Sequence, residues 1–380
     1  MSSSSTLTVV LPGTQRVRSD GHILIPEKTT SGLEFYATHW SGPVELVLQG
    51  APVDEGFGLG AKWRDPARLP VSVRLVSDIT EIGDLEGERL LLLPHHPEYE
   101  AIVRSRHTVV LASELPATEV LKADLLGVRS LATQARVRLG ALRRERTLRR
   151  MVTESTGLQC NGWPSWDSYA RFSGNPMRFY DTRLTATHVA MDRSRPDVMP
   201  DAHIQLAFSG RLFVNKGPRF ALELSDALVR RGVKHKFFVI GEGPDKIALH
   251  AGASDHVQFV DPMGFDSDWV KFMLTSVDFG ILPHMQGDPS GTYLEMAGLG
   301  VPVLGFRNSA LRGLERNDSV GWTCEMENVD ALADQVELLI ENPDEWRASS
   351  QRGREFMREH HFDAEFRRRV EHLASCAEAG

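Results

Sequence analysis

The residues whose types and spacing suit chemistry lie between Asp278 and Phe306, in DFGILPHMQGDPSGTYLEMAGLGVPVLGF. Phe279, Ile281 and Leu282 form the short apolar run of a strand buried on both faces, and Pro283 ends it. Asp288, Pro289 and Ser290 suit a helix start, and Tyr293, Leu294, Met296, Ala297 and Leu299 follow in helical rhythm until Gly300. The first turn of such a helix carries backbone N–H groups that no helical carbonyl uses, here beside a glycine-bearing loop, and it attracts anions. Glu295 sits one to two turns in, within reach of a ligand held there. The stretch reads as an anion site with a carboxylate beside it.

The elements that must position this site alternate. Gln205 to Ser209 reads as a strand, followed by Gly210-Arg211-Leu212, then Lys216-Gly217-Pro218 and a helix whose inner face is Ala221, Leu224, Ala227 and Leu228. A strand at Lys236 to Ile240 ends in Gly241-Glu242-Gly243-Pro244, another spans Val257 to Val260, and Asp266 to Thr275 reads as helix. Three helices, at about Val329 to Ile340, Asp344 to Glu359 and Asp363 to Ala377, finish the chain. The first half alternates in the same way, with strands expected at Leu7 to Leu11, Val44 to Leu48, Val71 to Leu75, Glu88 to Leu93, Val109 to Leu111, Gly157 to Cys160 and Met177 to Tyr180. Residues 13–30 interrupt it as a detour with a short strand or hairpin at His22 to Ile25, before a helix start at Thr30-Ser31-Gly32. Strands alternating with helices imply parallel sheets joined by crossovers.

A chain of 380 residues suits two domains. The charged, proline-bearing segment 192–203 is the expected hinge, between domains at 1–191 and 204–360, with a last helix at 361–380. Hydrophobic content of 41% and charged content of 25% fit a soluble globular protein, and no apolar run approaches a membrane span. Cys160, Cys324 and Cys376 lie far apart without paired metal spacing, which favours a reducing cytoplasm over a disulfide framework. The net charge of −8 argues against general nucleic-acid binding. Against that background, Arg129 to Arg150 holds eight arginines and the single Glu145, a helix able to rest on an anionic membrane or simply to be solvated.

In their order and spacing, Gly210-Arg211-Leu212, Lys216-Gly217, Gly241-Glu242-Gly243-Pro244 and PHMQGDPSGTYLEMAGLGVPV resemble the donor-binding domain of family 4-type glycosyltransferases. The resemblance covers about residues 204 to 345. It implies the GT-B fold, two Rossmann-like domains with parallel sheets facing a central cleft, and a retaining, metal-independent, cofactor-free transfer of sugar from a UDP- or GDP-sugar to a hydroxyl. The acceptor would be a saccharide, a lipid-linked saccharide or a small molecule. The resemblance gives Arg211 and Lys216 to the diphosphate with the amides of Ser290, Gly291 and Thr292, and Glu295 to the ribose. Gly210, Gly241 and Gly243 would let the nucleotide approach the backbone. It also implies that the last helix packs back on the first domain.

The family commonly carries a further glutamate where this chain has Gly287. Gln286 and Asp288 flank it, and Asp288 is the preferred substitute, with a helix N-cap as its equal alternative. The first domain resembles the family more loosely. Gly32 is the counterpart of its phosphate-facing glycine, His95 or His96 of its histidine near the transferred sugar, and Asn161 borders the cleft on the acceptor side.

Asp266-Ser267-Asp268 lies at a helix start, where such residues cap, so no metal site is expected. No nucleophile elbow and no complete G-x-G-x-x-G appears. Two alternatives stand beside transfer: an epimerase of the same fold, and a non-catalytic nucleotide-sugar-binding or interaction protein.

Overall fold

A computed structural model describes residues 5–53, 61–195 and 203–379. The chain divides into two compact units, one made of Met1–Leu121, Val128–Phe179 and Asp363–Gly380, the other of Lys122–Gly127 and Tyr180–Phe362. Both are Rossmann-like, the pair of domains that makes up the GT-B fold.

The first unit is built on one sheet. Its strands are β1 (Thr6–Val17), β2 (Ile23–Pro26), β3 (Val44–Pro52), β4 (Ala61–Arg64), β5 (Ser72–Val76), β6 (Arg89–Pro94), β7 (Thr108–Ser113), β8 (Gly157–Asn161) and β9 (Pro176–Phe179). Seven run parallel in the order β5-β3-β1-β6-β7-β8-β9. Leu90 to Leu93 are all buried, as a strand covered on both faces requires. The detour after residue 13 is an antiparallel ribbon: β1 continues to Val17, turns back as β2, and β2 pairs with β4. A register shift between Val10 and Thr14 marks where β1 passes Pro12-Gly13.

The Arg-rich segment forms the helix Leu131–Glu154. It buries only Leu148, Met151 and Val152 fully and leaves Leu131, Leu139 and Leu142 exposed. The helix Phe362–Ala379 closes this unit, where Arg369 Nε donates to Gln159 Oε1 at 2.8 Å and Gln159 Nε2 donates back to the Arg369 carbonyl at 3.1 Å.

The second unit is a parallel sheet of β10 (Ile204–Ser209), β11 (His235–Ile240), β12 (Val257–Val260), β13 (Phe279–Ile281), β14 (Val303–Phe306) and β15 (Trp322–Cys324), in the order β12-β11-β10-β13-β14-β15. The helix Pro218–Arg230 buries Ala221, Leu224, Ala227 and Leu228. Phe265–Trp269 forms a wide π turn before the helix Val270–Ser276, where one continuous helix was expected.

Residues 196–202 of the expected hinge lie outside the described residues. After the excursion at Lys122–Gly127, the chain enters the second unit at Tyr180 and returns to the first at Asp363. Tyr180 OH donates to Asp318 Oδ2 at 2.6 Å, and Arg195 donates to both oxygens of the buried Asp278 at 2.6 Å.

Candidate active site

Strand order in the second unit reverses at β10: β11 and β12 lie to one side, β13 to β15 to the other. Connections leaving the carboxyl ends of β10 and β13 therefore diverge and leave a crevice, the usual ligand site of an open α/β sheet. The loops that fill this position are those singled out in the sequence. Leu212 N–H donates to the Glu242 carbonyl at 2.8 Å, and Met285 N–H to the Asn215 carbonyl at 2.9 Å, so the three loops are joined backbone to backbone. Such contact demands glycine: a Cβ on Gly241 would sit 1.9 Å from the Gly210 carbonyl oxygen. Gly217, at φ 66°, ends the Lys216 turn, and a Cβ there would meet the Pro283 carbonyl oxygen at 2.1 Å.

Lys216 is buried, and its ammonium pairs with the carboxylate of Asp288. Arg211 is exposed, with its guanidinium 5.7 Å from the centre of the Phe213 ring. Ser290, not Asp288, is the N-cap of the helix Gly291–Gly298, and no side-chain bond caps it. The carboxylate of Asp288 is spent on Lys216 instead, which replaces the capping alternative. Gln286 Oε1 accepts from Asn215 Nδ2 at 3.0 Å.

Glu295 is 1% exposed. It is held by Arg183, which donates from Nε to Oε1 at 2.8 Å, from Nη2 to Oε2 at 2.7 Å and from its backbone N–H to Oε1 at 3.2 Å. The Arg183 guanidinium lies 3.8 Å from the centre of the Phe265 ring. His284 is fully buried, and neither ring nitrogen has a hydrogen-bond partner among the described residues. Burial first, then the charges of Lys216 and Arg211, hold its pKa well below the ordinary value, so the ring is neutral. Its carbonyl accepts from Asn308 Nδ2 at 3.1 Å, and the same nitrogen donates to Tyr293 OH at 3.0 Å.

The first-unit residues fare differently. Gly32 lies inside the helix Glu27–His39, which starts three residues before the expected Thr30, and not in a loop. A Cβ at Gly32 would come within 2.9 Å of the Phe366 ring, so this glycine serves helix packing rather than a phosphate. His95 Nδ1 meets Ser113 Oγ at 3.1 Å and its Nε2 meets the Leu148 carbonyl at 3.0 Å, and burial lowers its pKa to about 4. With both nitrogens engaged, it is a structural histidine. His96 is exposed beside Glu98, 3.3 Å away. Asn161 is buried and donates to Glu114 Oε2 at 2.5 Å.

Arg183 and His284 were not singled out from the sequence. The signal for Arg183 is indirect: a glutamate among Tyr293, Leu294, Met296 and Ala297, all buried, needs a cation from elsewhere. Nothing local marks His284.

Glycine-bearing loops and a buried lysine at the switch point of a six-stranded parallel sheet define a doubly wound α/β domain with its ligand crevice at that point. More particularly, residues 194–356, which lie within the second unit, match the family model of glycosyl transferases group 1. The chain is 28% identical over 195 residues to the putative colanic acid biosynthesis glycosyltransferase WcaL of Escherichia coli (strain K12), a match covering 49% of this chain and 47% of that protein. It is 29% identical over 153 residues to the GDP-mannose-dependent alpha-(1-6)-phosphatidylinositol dimannoside mannosyltransferase of Mycobacterium tuberculosis, covering 40% and 39%. These matches span less than half the length of either relative. Among solved structures, Anabaena Alr3699/HepE in complex with UDP-glucose superposes with a TM-score of 0.64 at 11% identity, over 97% of this chain and 99% of that one. That likeness is one of fold.

Proposed function

We propose that the protein is a glycosyltransferase that moves a sugar from a nucleoside-diphosphate sugar to a hydroxyl acceptor, with retention of configuration and without a metal or other cofactor. The observation that carries this reading is Lys216, buried in the loop after β10 beside the uncapped start of the helix Gly291–Gly298. In transfer the acceptor oxygen bonds to the sugar's anomeric carbon as the bond to the β-phosphate oxygen breaks. The electron pair goes to that oxygen, so charge grows on the diphosphate. Lys216, Arg211 and the amides of Ser290, Gly291 and Thr292 meet that charge, the part a divalent cation plays in other transferases. A phosphate oxygen on the same face takes the acceptor's proton, which needs no protein nucleophile. Gly210, Gly241 and Gly243 let the base and ribose approach, Glu295 accepts from the ribose, and Asp288 contacts the donor sugar once the diphosphate has taken Lys216.

The GDP-mannose-dependent relative and the UDP-glucose-bound neighbour support a GDP- or a UDP-sugar as donor. The acceptor is a saccharide, free or lipid-linked, or a small molecule, with Asn161 and His96 on its side. No helix among the described residues is long and apolar enough to cross a membrane. The segment Arg129 to Arg150, whose helix from Leu131 onward leaves Leu131, Leu139 and Leu142 exposed, is the proposed contact with an anionic membrane face.

A thermal-shift screen of UDP, GDP and their sugars, followed by turnover with saccharide acceptors with and without EDTA, tests the reading. Transfer that EDTA leaves intact supports it. A changed sugar in donor incubated alone points to an epimerase. The second reading, a non-catalytic binder, is favoured by Gly287 in place of a glutamate and by the ion pairs on Lys216 and Glu295. Stabilisation by nucleotide-sugar without turnover on any acceptor would select it.

A further inference from the structure

Glu295 accepts from the ribose in the proposed function, and the role of its partner Arg183 rests on that reading. A carboxylate has about four acceptor positions, two on each oxygen. Arg183 fills three of them: Nε and the backbone N–H on Oε1, and Nη2 on Oε2. A bidentate guanidinium fixes the plane of the carboxylate as well as its charge, and the added bond from the main chain ties it to the backbone at Arg183.

The clamp is itself anchored. The Arg183 guanidinium stacks on Phe265, whose ring stacks on Trp269 at 5.3 Å and 21°, and Trp269 is buried with Nε1 donating to Ser209 Oγ at 2.9 Å. A continuous set of contacts thus runs from the end of β10 to the carboxylate. On its other flank, a Cβ on Gly291 would come within 2.9 Å of the Asp181 carbonyl oxygen and 3.3 Å of Glu295 Oε1, so the helix start packs against both.

We infer that Arg183 is a positioning residue that leaves Glu295 one open acceptor position, on Oε2, so that the protein reads one hydroxyl of the ribose and not both. A free glutamate would take the two neighbouring hydroxyls with its two oxygens. The clamped one takes a single donor.

Calorimetric titration of the full chain with UDP and GDP identifies the nucleotide that binds, and its 2′-deoxy and 3′-deoxy forms then test the inference. One of the two deoxy forms is expected to bind about tenfold more weakly than the parent and the other within about twofold, the effect of losing one buried hydrogen bond. In Arg183→Gln, checked for folding by its melting temperature, the two deoxy forms are expected to bind alike. A purely structural role for Arg183 would weaken all three nucleotides together and leave their ratio unchanged. Equal penalties for both deoxy forms in the wild type, a ratio that survives in Arg183→Gln, or tighter binding by that variant would each overturn the inference while leaving the nucleotide reading in place. Should Arg183→Gln fail to fold, the wild-type ratio decides together with Arg183→Lys, which keeps the charge and loses the fork. No binding of either parent nucleotide removes the nucleotide reading and this inference together.

Discussion

Two histidines follow β6 in the first unit and one follows β13 in the second, and their surroundings set them apart. His95 is neutral because its burial outweighs the Leu148 carbonyl, which on its own favours the charged ring, and the fold uses both nitrogens, on Ser113 and on that carbonyl. His284 is neutral because the fold does not use it, since its ring is buried without partners beside two cations. The same contrast holds for the glycines. Gly32 makes room for a ring of its own unit, whereas Gly241 makes room for the main chain of a neighbouring loop. At these positions the first unit absorbs strand-end and loop groups into its core, and the second keeps them at its switch point.

The largest test of that contrast sets Lys216→Ala against His95→Gln. Lys216→Ala is expected to reduce kcat/KM for sugar transfer by about two orders of magnitude, the usual loss when one preorganised charge contact goes. His95→Gln is expected to leave the turnover of folded protein unchanged, and a comparable loss there would erase the distinction.

Next in size is Gly241→Ala, where the new methyl meets a carbonyl 1.9 Å away and backbone must move. Urea unfolding is expected to show a loss of about 3 kcal/mol, against about 1 kcal/mol for Gly32→Ala, where an aromatic ring can give way.

His95 sets a pH-dependent effect. Its folded pKa of about 4 lies below the ordinary 6.5, so between these values the unfolded chain binds more protons. Its contribution to stability is complete above pH 6.5 and is lost as the pH falls toward 4. His95→Gln is expected to flatten that part of a stability–pH profile. A slope that persists unchanged would assign it to other groups.

Smallest is His96→Ala. The exposed ring is expected to matter to transfer by about tenfold, one hydrogen bond's worth, with the melting temperature unchanged. An unaltered rate would leave the first unit with no histidine in the chemistry.

Much of this was legible in the sequence because it is local. Apolar runs ending in glycine or proline located most of the strands, and three such exits, after β10, β11 and β13, located the loops of the switch point. What escaped is what depends on distant partners. Arg183 and Glu295 are 112 residues apart, so no spacing links them. His95 looks like a strand-end histidine until Leu148, 53 residues on, offers its carbonyl. Thr30 reads as a helix cap, yet the helix begins at Glu27, directly after β2 ends at Pro26. The start of the expected hinge is packed for a similar reason: the charges near residue 195 read as a linker, but Arg193 and Arg195 are the partners of a buried aspartate.

The bond between Gln159 and Arg369 has a consequence for synthesis. The first unit lacks its closing helix until the ribosome has passed residue 379, whereas the second has all its strands and helices once residue 362 has emerged. The later-encoded unit can therefore become native first, against the usual order in which domains mature from the amino end. In ribosome-arrested chains released only to about Glu359, protease should spare residues 204–359 and cut within 61–179. Equal resistance of the two would show that β8 does without Arg369 while the chain is being made.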